Sequence, residues 1–176
     1  MLVAMSVFGW LAWSSHAEPG VGRVAGARPA NIATSAIPDE QYESLAAFEA
    51  PAYTPVPRAP QSFQTAMARY MKADYAGAAS ALRAVSDAQP HFAPAQFYLG
   101  ISLLLAGDRI AGIQELRELT MAGDTPYLER ARFYLAKGLI AEHDVRRAQQ
   151  QLEDLIEQHG TLEKQATVLL GQIRPS

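Results

Sequence analysis

Residues 96–119 read QFYLGISLLLAGDRIAGIQELREL, and the spacing of small and apolar residues in this stretch occurs twice more in the chain. The three copies start at Ala66, Gly100 and Ala136, with offsets of 34 and 36 residues. In each copy an aspartate follows eight residues later and a second small residue twelve residues later. A period of this length indicates a supersecondary unit that must stack on its neighbours to bury its apolar face.

Residues 61–176 contain seven windows of apolar residues at helical spacing, separated by short breaks. Gly107-Asp108 is a turn dipeptide, and Thr125-Pro126 places a cap before a proline at the first helical position. The windows predict helices over 62–73, 76–88, 92–106, 109–121, 126–141, 145–158 and 161–173. Three helix pairs and a seventh helix that closes the open end predict an all-α solenoid with a C-terminal capping helix.

The repeats resemble the tetratricopeptide repeat family. The second unit matches its consensus through Leu99, Gly100, Gly107, Asp108, Leu116 and Leu119. The other units depart at Arg69, where an apolar residue is usual, at His143, which replaces the turn glycine, and by a two-residue insertion between Thr120 and Tyr127. The resemblance implies three helix-turn-helix units with a concave binding surface, and it names no partner, because this fold serves many functions.

The chain before the repeats has two parts. Residues 1–17 form an apolar, signal-like or membrane-anchor segment, since residues 15–17 (Ser-His-Ala) resemble the pattern before a signal-peptidase cleavage site. A disordered apolar tail, or a helix packed on a partner, is the alternative. Residues 18–60 are a linker rich in Pro, Ala and Gly, which we predict to be mostly disordered apart from a short helix near 39–49.

This layout is similar to that of membrane-anchored bacterial repeat proteins, some of which carry a cytoplasmic zinc-finger anti-sigma module that is not found here. The resemblance implies a location in the bacterial cell envelope, on the periplasmic side, either anchored or exported. Contact with a membrane would run through residues 1–13. A cytoplasmic location is the alternative.

Composition and spacing argue against nucleic-acid binding and against catalysis. Fifteen Lys and Arg residues against 18 Asp and Glu residues leave a net charge of −3, and the positive residues form no basic cluster. The chain has no cysteine, and no two of its four histidines are spaced to bind a metal from one helix face. Neither a glycine-rich phosphate loop nor a Gly-x-Ser-x-Gly turn is present. We therefore predict a protein that is not an enzyme, with no cofactor and no metal site.

The first helix of each pair carries a stripe of mainly apolar residues at positions i, i+4, i+7 and i+8, which share one helix face. The stripe consists of Phe63, Met67, Tyr70 and Met71, then Phe97, Ile101, Leu104 and Leu105, then Phe133, Lys137, Ile140 and Ala141. An exposed apolar surface of this extent marks an interaction site. We therefore predict that the stripe lines a groove that binds a protein or peptide.

Three ways of covering this stripe remain open. The repeats could curl tightly enough to turn the stripe into core. The chain could cover it with its own residues 39–58, through Tyr42, Leu45, Phe48 and Tyr53, and a partner would then compete this segment off. A foreign peptide, a partner helix or a second copy of the chain could also lie there.

These observations predict a non-catalytic module for protein–protein interaction or assembly. Two alternatives are a self-associating structural protein and the periplasmic regulatory part of an anti-sigma-type membrane protein. The partner is a protein or peptide whose identity the sequence does not name.

Overall fold

The computed structural model describes residues 38–174, and this part of the chain contains eight helices and no strand. The helices are α1 (Asp39–Ala46), α2 (Gln61–Tyr70), α3 (Tyr75–Ala88), α4 (Ala93–Leu105), α5 (Arg109–Met121), α6 (Leu128–Ala141), α7 (Val145–Glu157) and α8 (Glu163–Ile173). The predictions for residues 1–37 lie outside the described residues. None of the eight helices is long and apolar enough to cross a membrane.

Helices α2 to α8, which we call the stack, form three pairs and a cap. α2 packs on α3, α4 on α5, and α6 on α7. Successive pairs meet through α3 with α4 and α5 with α6, and α8 packs on α7. The predicted all-α arrangement of three tetratricopeptide-like units and a capping helix is confirmed.

The turn inside each pair has the same backbone conformation in all three units. The residues before the second helix, Ala73, Gly107 and His143, have positive φ angles of 59°, 91° and 59°. The next residue is an aspartate whose carboxylate accepts a backbone N–H of the following helix, at 3.0, 3.3 and 3.2 Å for Asp74, Asp108 and Asp144. This capping satisfies an N–H group that the helix itself leaves unpaired. Only one of the three turns has the glycine that this conformation favours.

The helices of the second pair approach closely because glycines face each other across it. A β-carbon built on Gly112 would lie 2.9 Å from the carbonyl oxygen of Gly100 and 2.8 Å from Leu104. A β-carbon on Gly100 would lie 2.7 Å from Leu116. The small residues at these two repeat positions are therefore required by the packing of α4 on α5.

Two helices end earlier than the sequence pattern suggests. α1 ends at Ala46, and Ala47 takes an extended conformation with φ −52° and ψ 120°, so Phe48 and Glu49 lie beyond the helix. α2 ends at Tyr70, because the chain must reach the left-handed conformation at Ala73. Apolar periodicity continues through both ends, which is why it overestimates the helix length.

The capping helix is held to the last pair by side chains of that pair. α8 has no capping side chain of its own. Glu129 of α6 accepts the N–H of Leu162 and, at 2.9 Å, the hydroxyl of Thr161. At the other end Arg174 contacts Glu153 of α7 at 2.6 Å. The N-terminus of α8 is thus satisfied by α6, which fixes where the cap sits.

We predict that replacing glycine by alanine changes the free energy of unfolding in opposite directions at two positions. Gly112→Ala should lower the free energy of unfolding by roughly 1–3 kcal/mol, because the new β-carbon meets backbone. Gly171→Ala, whose β-carbon would meet nothing within 4 Å, should raise it by about 0.5–1 kcal/mol through helix propensity. Urea denaturation of both variants measures the difference. Equal shifts in the same direction would contradict the close approach of α4 and α5.

Candidate functional site

Residues 47–59, which we call the strap, run from α1 across the first helices of the three pairs. Their backbone carbonyls accept hydrogen bonds from five side chains of the stack. The donors are Lys137 Nζ to Ala47, Tyr134 Oη to Glu49 (3.0 Å), Tyr70 Oη to Pro51 (3.0 Å), Tyr98 Oη to Ala52 (3.4 Å) and Gln64 Nε2 to Ala59 (3.0 Å). We call the surface of α2, α4 and α6 that contacts the strap the groove. The strap passes the third pair first and the first pair last.

Three of the five donors occupy one position of the repeat. Gln64, Tyr98 and Tyr134 each stand two residues before the small residue that starts a unit. Two residues correspond to about 200° around an α-helix, so a residue at this position points away from the helix's partner within the pair. Each unit therefore presents one hydrogen-bond donor to the strap from this position, and Tyr70 and Lys137 add a second donor in the first and third units.

An aromatic cluster anchors the middle of the strap. The ring of Tyr53 lies 5.7 Å from Tyr98 and 6.3 Å from Phe63, in both cases edge to face. Tyr98 is fully buried and also meets Tyr70 at 5.2 Å. Edge-to-face pairs of this kind contribute beyond the area they bury. Tyr53 is thus the side chain by which the strap is fixed to α2 and α4.

Helix α1 packs on α6 at the start of the strap. The ring of Tyr42 stacks on His143 at 4.2 Å, and Leu45 and Phe48 are half-buried against the core. The ammonium group of Lys137 donates to the carbonyl of Ala47, the residue directly after α1. A cation at this end also complements the negative end of the helix dipole. The four residues predicted to cover the groove, including Tyr53, therefore all contact the stack.

The three phenylalanines of the predicted stripe mostly form core between successive pairs. Phe63 is fully buried and meets Phe92, just before α4, at 5.1 Å. Phe97 is fully buried against Tyr127, just before α6, at 5.1 Å. Phe133 is only half-buried, because within residues 38–174 a single helix, α8, takes the place of a next pair beside it.

The rest of the stripe divides between core, strap contacts and solvent. Met67, Tyr70, Ile101, Leu104 and Ile140 are buried, whereas Leu105, Lys137 and Ala141 are half-buried. Met71 is 63% exposed, because it lies beyond the end of α2, so it does not line the groove. The sequence reasoning missed Gln64, Tyr98 and Tyr134. The sequence pattern that could have indicated them is a side chain with a donor group two residues before the small residue of every unit.

Burial changes the acidity of the groove donors. It raises the pKa of both Tyr134 and Tyr70 above the usual 10.0. It lowers the pKa of Lys137, an effect that the nearby Glu49 carboxylate opposes. The tyrosines therefore keep their protons and act as donors at neutral pH.

The arrangement is suited to holding a chain in place. Its donors point at backbone carbonyls, and no group of three or more His, Asp or Glu residues in the described part of the chain could hold a metal ion. Hydrogen bonds to carbonyls and aromatic contacts bind a polypeptide without reacting with it.

Comparison with known proteins supports the fold. Among solved structures, the chain is similar to the Yersinia enterocolitica type III secretion translocator chaperone SycD, with a TM-score of 0.58 at 17% sequence identity. The similarity covers 64% of this chain and 81% of that chain. No protein-family model and no curated protein matches the sequence. At this level of identity the similarity shows a shared fold and no more.

We predict that removing one groove donor loosens the strap. Tyr134→Phe deletes the hydrogen bond to Glu49, which is worth about 0.5–1.5 kcal/mol. Chymotrypsin must lift the strap to cut after Tyr53, so its rate there follows the population of the open form. We expect cleavage at Tyr53, identified by mass spectrometry, to be about two- to tenfold faster than in the unchanged protein.

The control for this experiment is Tyr75→Phe, the same chemical change on α3. The Tyr75 ring packs on Tyr70 at 5.6 Å, and its hydroxyl makes no hydrogen bond within residues 38–174. Its rate of cleavage should equal that of the unchanged protein. Equal rates in all three proteins would show that the donor at position 134 does not hold the strap.

The raised pKa values of Tyr70 and Tyr134 predict a difference in alkaline titration. Both phenols hold a proton more tightly in the folded chain, so their contribution to stability is complete below the usual pKa of 10.0 and is lost as the pH rises through the folded pKa. The tyrosinate absorbance of the folded protein should therefore appear at a higher pH than that of the protein unfolded in urea. Tyr134→Phe should remove part of the late change. Coincident curves would contradict the burial of these phenols.

Proposed function

We propose that this chain is a non-catalytic protein-binding module of the tetratricopeptide type, whose groove holds an extended segment of a partner protein. The hydrogen bonds from the stack to the strap carbonyls support an extended ligand at this surface. A partner would displace the strap, which would then act as a built-in competitor.

The observation that carries this proposal is the set of five side chains that donate to strap carbonyls. Every residue of any polypeptide has a backbone carbonyl, so these donors do not require the strap's own sequence. Phe48, Tyr53 and Val56 add the larger apolar contacts from the strap. A foreign segment with an aromatic side chain in the place of Tyr53 would make the same hydrogen bonds and the same ring contacts.

The strap carries a local strain that a partner would not share. Arg58 has a φ of 57°, in a turn where the N–H of Ala59 donates to Val56 at 3.2 Å. This left-handed conformation costs a non-glycine residue about 1 kcal/mol. The turn leads the strap into α2, which begins at Gln61. A segment from another chain could leave the groove in any direction, which favours displacement.

The fold of SycD, named as a secretion translocator chaperone, supports a holding role for this stack. We propose that the groove here holds a segment of a client or assembly partner. The strap would keep the tyrosine-lined groove covered when no partner is present.

Residues 1–17 suggest where in the cell this module would act. Their apolar, signal-like sequence supports a place in the bacterial envelope, on the periplasmic side. A partner would then be another envelope or exported protein.

Self-association is a second candidate, favoured by an apolar surface at the α8 end of the stack. Val168 of α8 is 63% exposed beside the half-buried Phe133. A second copy could cover this apolar surface. Sedimentation at several protein concentrations separates a dimer from a monomer that binds other proteins.

The proposed function predicts that weakening the strap opens the groove to a peptide added in solution. Tyr53→Ala removes the ring contacts with Phe63 and Tyr98, whereas Thr54→Ala, at an exposed neighbouring position, removes none. A fluorescent peptide with the sequence of residues 47–59 should bind the Tyr53→Ala protein about tenfold more tightly than the unchanged protein, because its competitor is weaker.

The Thr54→Ala protein should bind this peptide as the unchanged protein does. Fluorescence anisotropy measures all three affinities. Absence of binding to every one of the three proteins would overturn the proposed function, and equal affinities would overturn the competition by the strap.

A further inference from the structure

We propose that the partner segment is a proline-rich extended chain of another protein that carries one aromatic side chain. This inference rests on the proposed function and names the class of ligand that the groove recognises.

The hydrogen bonds between strap and stack run in one direction. All five donors belong to the stack, and all five acceptors are carbonyls of the strap. Within residues 38–174, no N–H group of residues 48–58 donates to the stack. The groove thus binds the carbonyl of the peptide group, which proline keeps, and forms no hydrogen bond with the N–H group, which proline lacks.

The strap itself shows that proline fits. Prolines stand at 51, 55 and 57, and the carbonyl of Pro51 accepts the hydroxyl of Tyr70. Because the proline ring fixes φ, a proline-rich segment loses less conformational freedom when it is ordered on the groove. Such chains adopt an extended conformation with carbonyls free to accept hydrogen bonds.

The groove also has the side chains that bind such segments. Tyr70, Tyr98 and Tyr134 present both aromatic surface and hydroxyl donors, and aromatic-lined grooves recognise proline-rich chains in this way. The space between Phe63 and Tyr98 takes one ring, that of Tyr53 in the strap. The expected ligand therefore combines several prolines with a single tyrosine or phenylalanine.

The test measures the binding of four labelled peptides to the full-length Tyr53→Ala protein by fluorescence anisotropy. The first has the sequence of residues 47–59, AFEAPAYTPVPRA. In the second, the prolines corresponding to 51, 55 and 57 are alanines. In the third, the alanines corresponding to 50 and 52 are N-methylated, which removes their N–H groups and keeps their carbonyls. The fourth is an unrelated alanine- and proline-rich peptide with one tyrosine.

We expect the first, third and fourth peptides to bind, the third within about twofold of the first because no hydrogen bond is removed. The second should bind about tenfold more weakly, since each proline contributes roughly two- to fivefold through restricted freedom. A second protein, Tyr134→Phe, in which the strap is weakened from the groove side, should rank the four peptides in the same order. Circular dichroism confirms that both proteins are folded.

The outcomes separate the two proposals. Equal binding of the first and second peptides, or a tenfold loss on N-methylation, would overturn the preference for proline and leave the proposed function standing. Binding of the first peptide without the fourth, together with a dimer in sedimentation, would overturn it in favour of strap exchange between two copies. Absence of binding by all four peptides would overturn both proposals.

Discussion

The close contact between small residues inside each helix pair sets the orientation of every other side chain in the repeats. Gly100 and Gly112 bring α4 and α5 so near that neither position has room for a β-carbon. Because the face with the small residue packs on the second helix of the pair, helical geometry fixes which elements the other faces of the first helix contact. The residue two positions earlier points to the groove, and the residue three positions earlier points to the neighbouring pair. Tyr98 and Phe97 are adjacent in the chain, yet Tyr98 contacts the strap and Phe97 packs against the next pair.

The strap supplies hydrogen-bond acceptors and apolar cover that the first helices of the pairs require. Their groove side carries two buried tyrosines and one half-buried tyrosine whose hydroxyls need partners, and aromatic rings that would otherwise face water. An extended segment satisfies both needs, because its carbonyls accept the hydroxyls and Tyr53 covers the rings. The same chemistry that binds the strap would bind any chain able to present carbonyls and one aromatic side chain at these places.

The repeated small residues, the apolar windows and the turn residues predicted three helix pairs and a capping helix, because these features act within one unit or between neighbours in sequence. The site was only partly predictable. Tyr42, Leu45, Phe48 and Tyr53 were recognised as side chains able to cover the groove. The phenylalanine stripe was recognised as a repeated face, but whether that face is groove or core depends on how successive pairs rotate against each other. Phe63 and Phe97 are buried by Phe92 and Tyr127, which precede the next pair.

The sequence by itself determined the repeat, its helices, their turns and the apolar character of the first helices, since local propensity and the need to bury one face leave no other arrangement. Only the tertiary structure decided that the strap begins on the third pair and ends on the first. It also decided that Gln64, Tyr98 and Tyr134 donate to the strap carbonyls. These contacts join residues up to 85 positions apart, and their acceptors are backbone atoms that every residue has. A hydrogen bond to a carbonyl leaves no residue-type pattern in the segment that accepts it, so only the folded chain shows it.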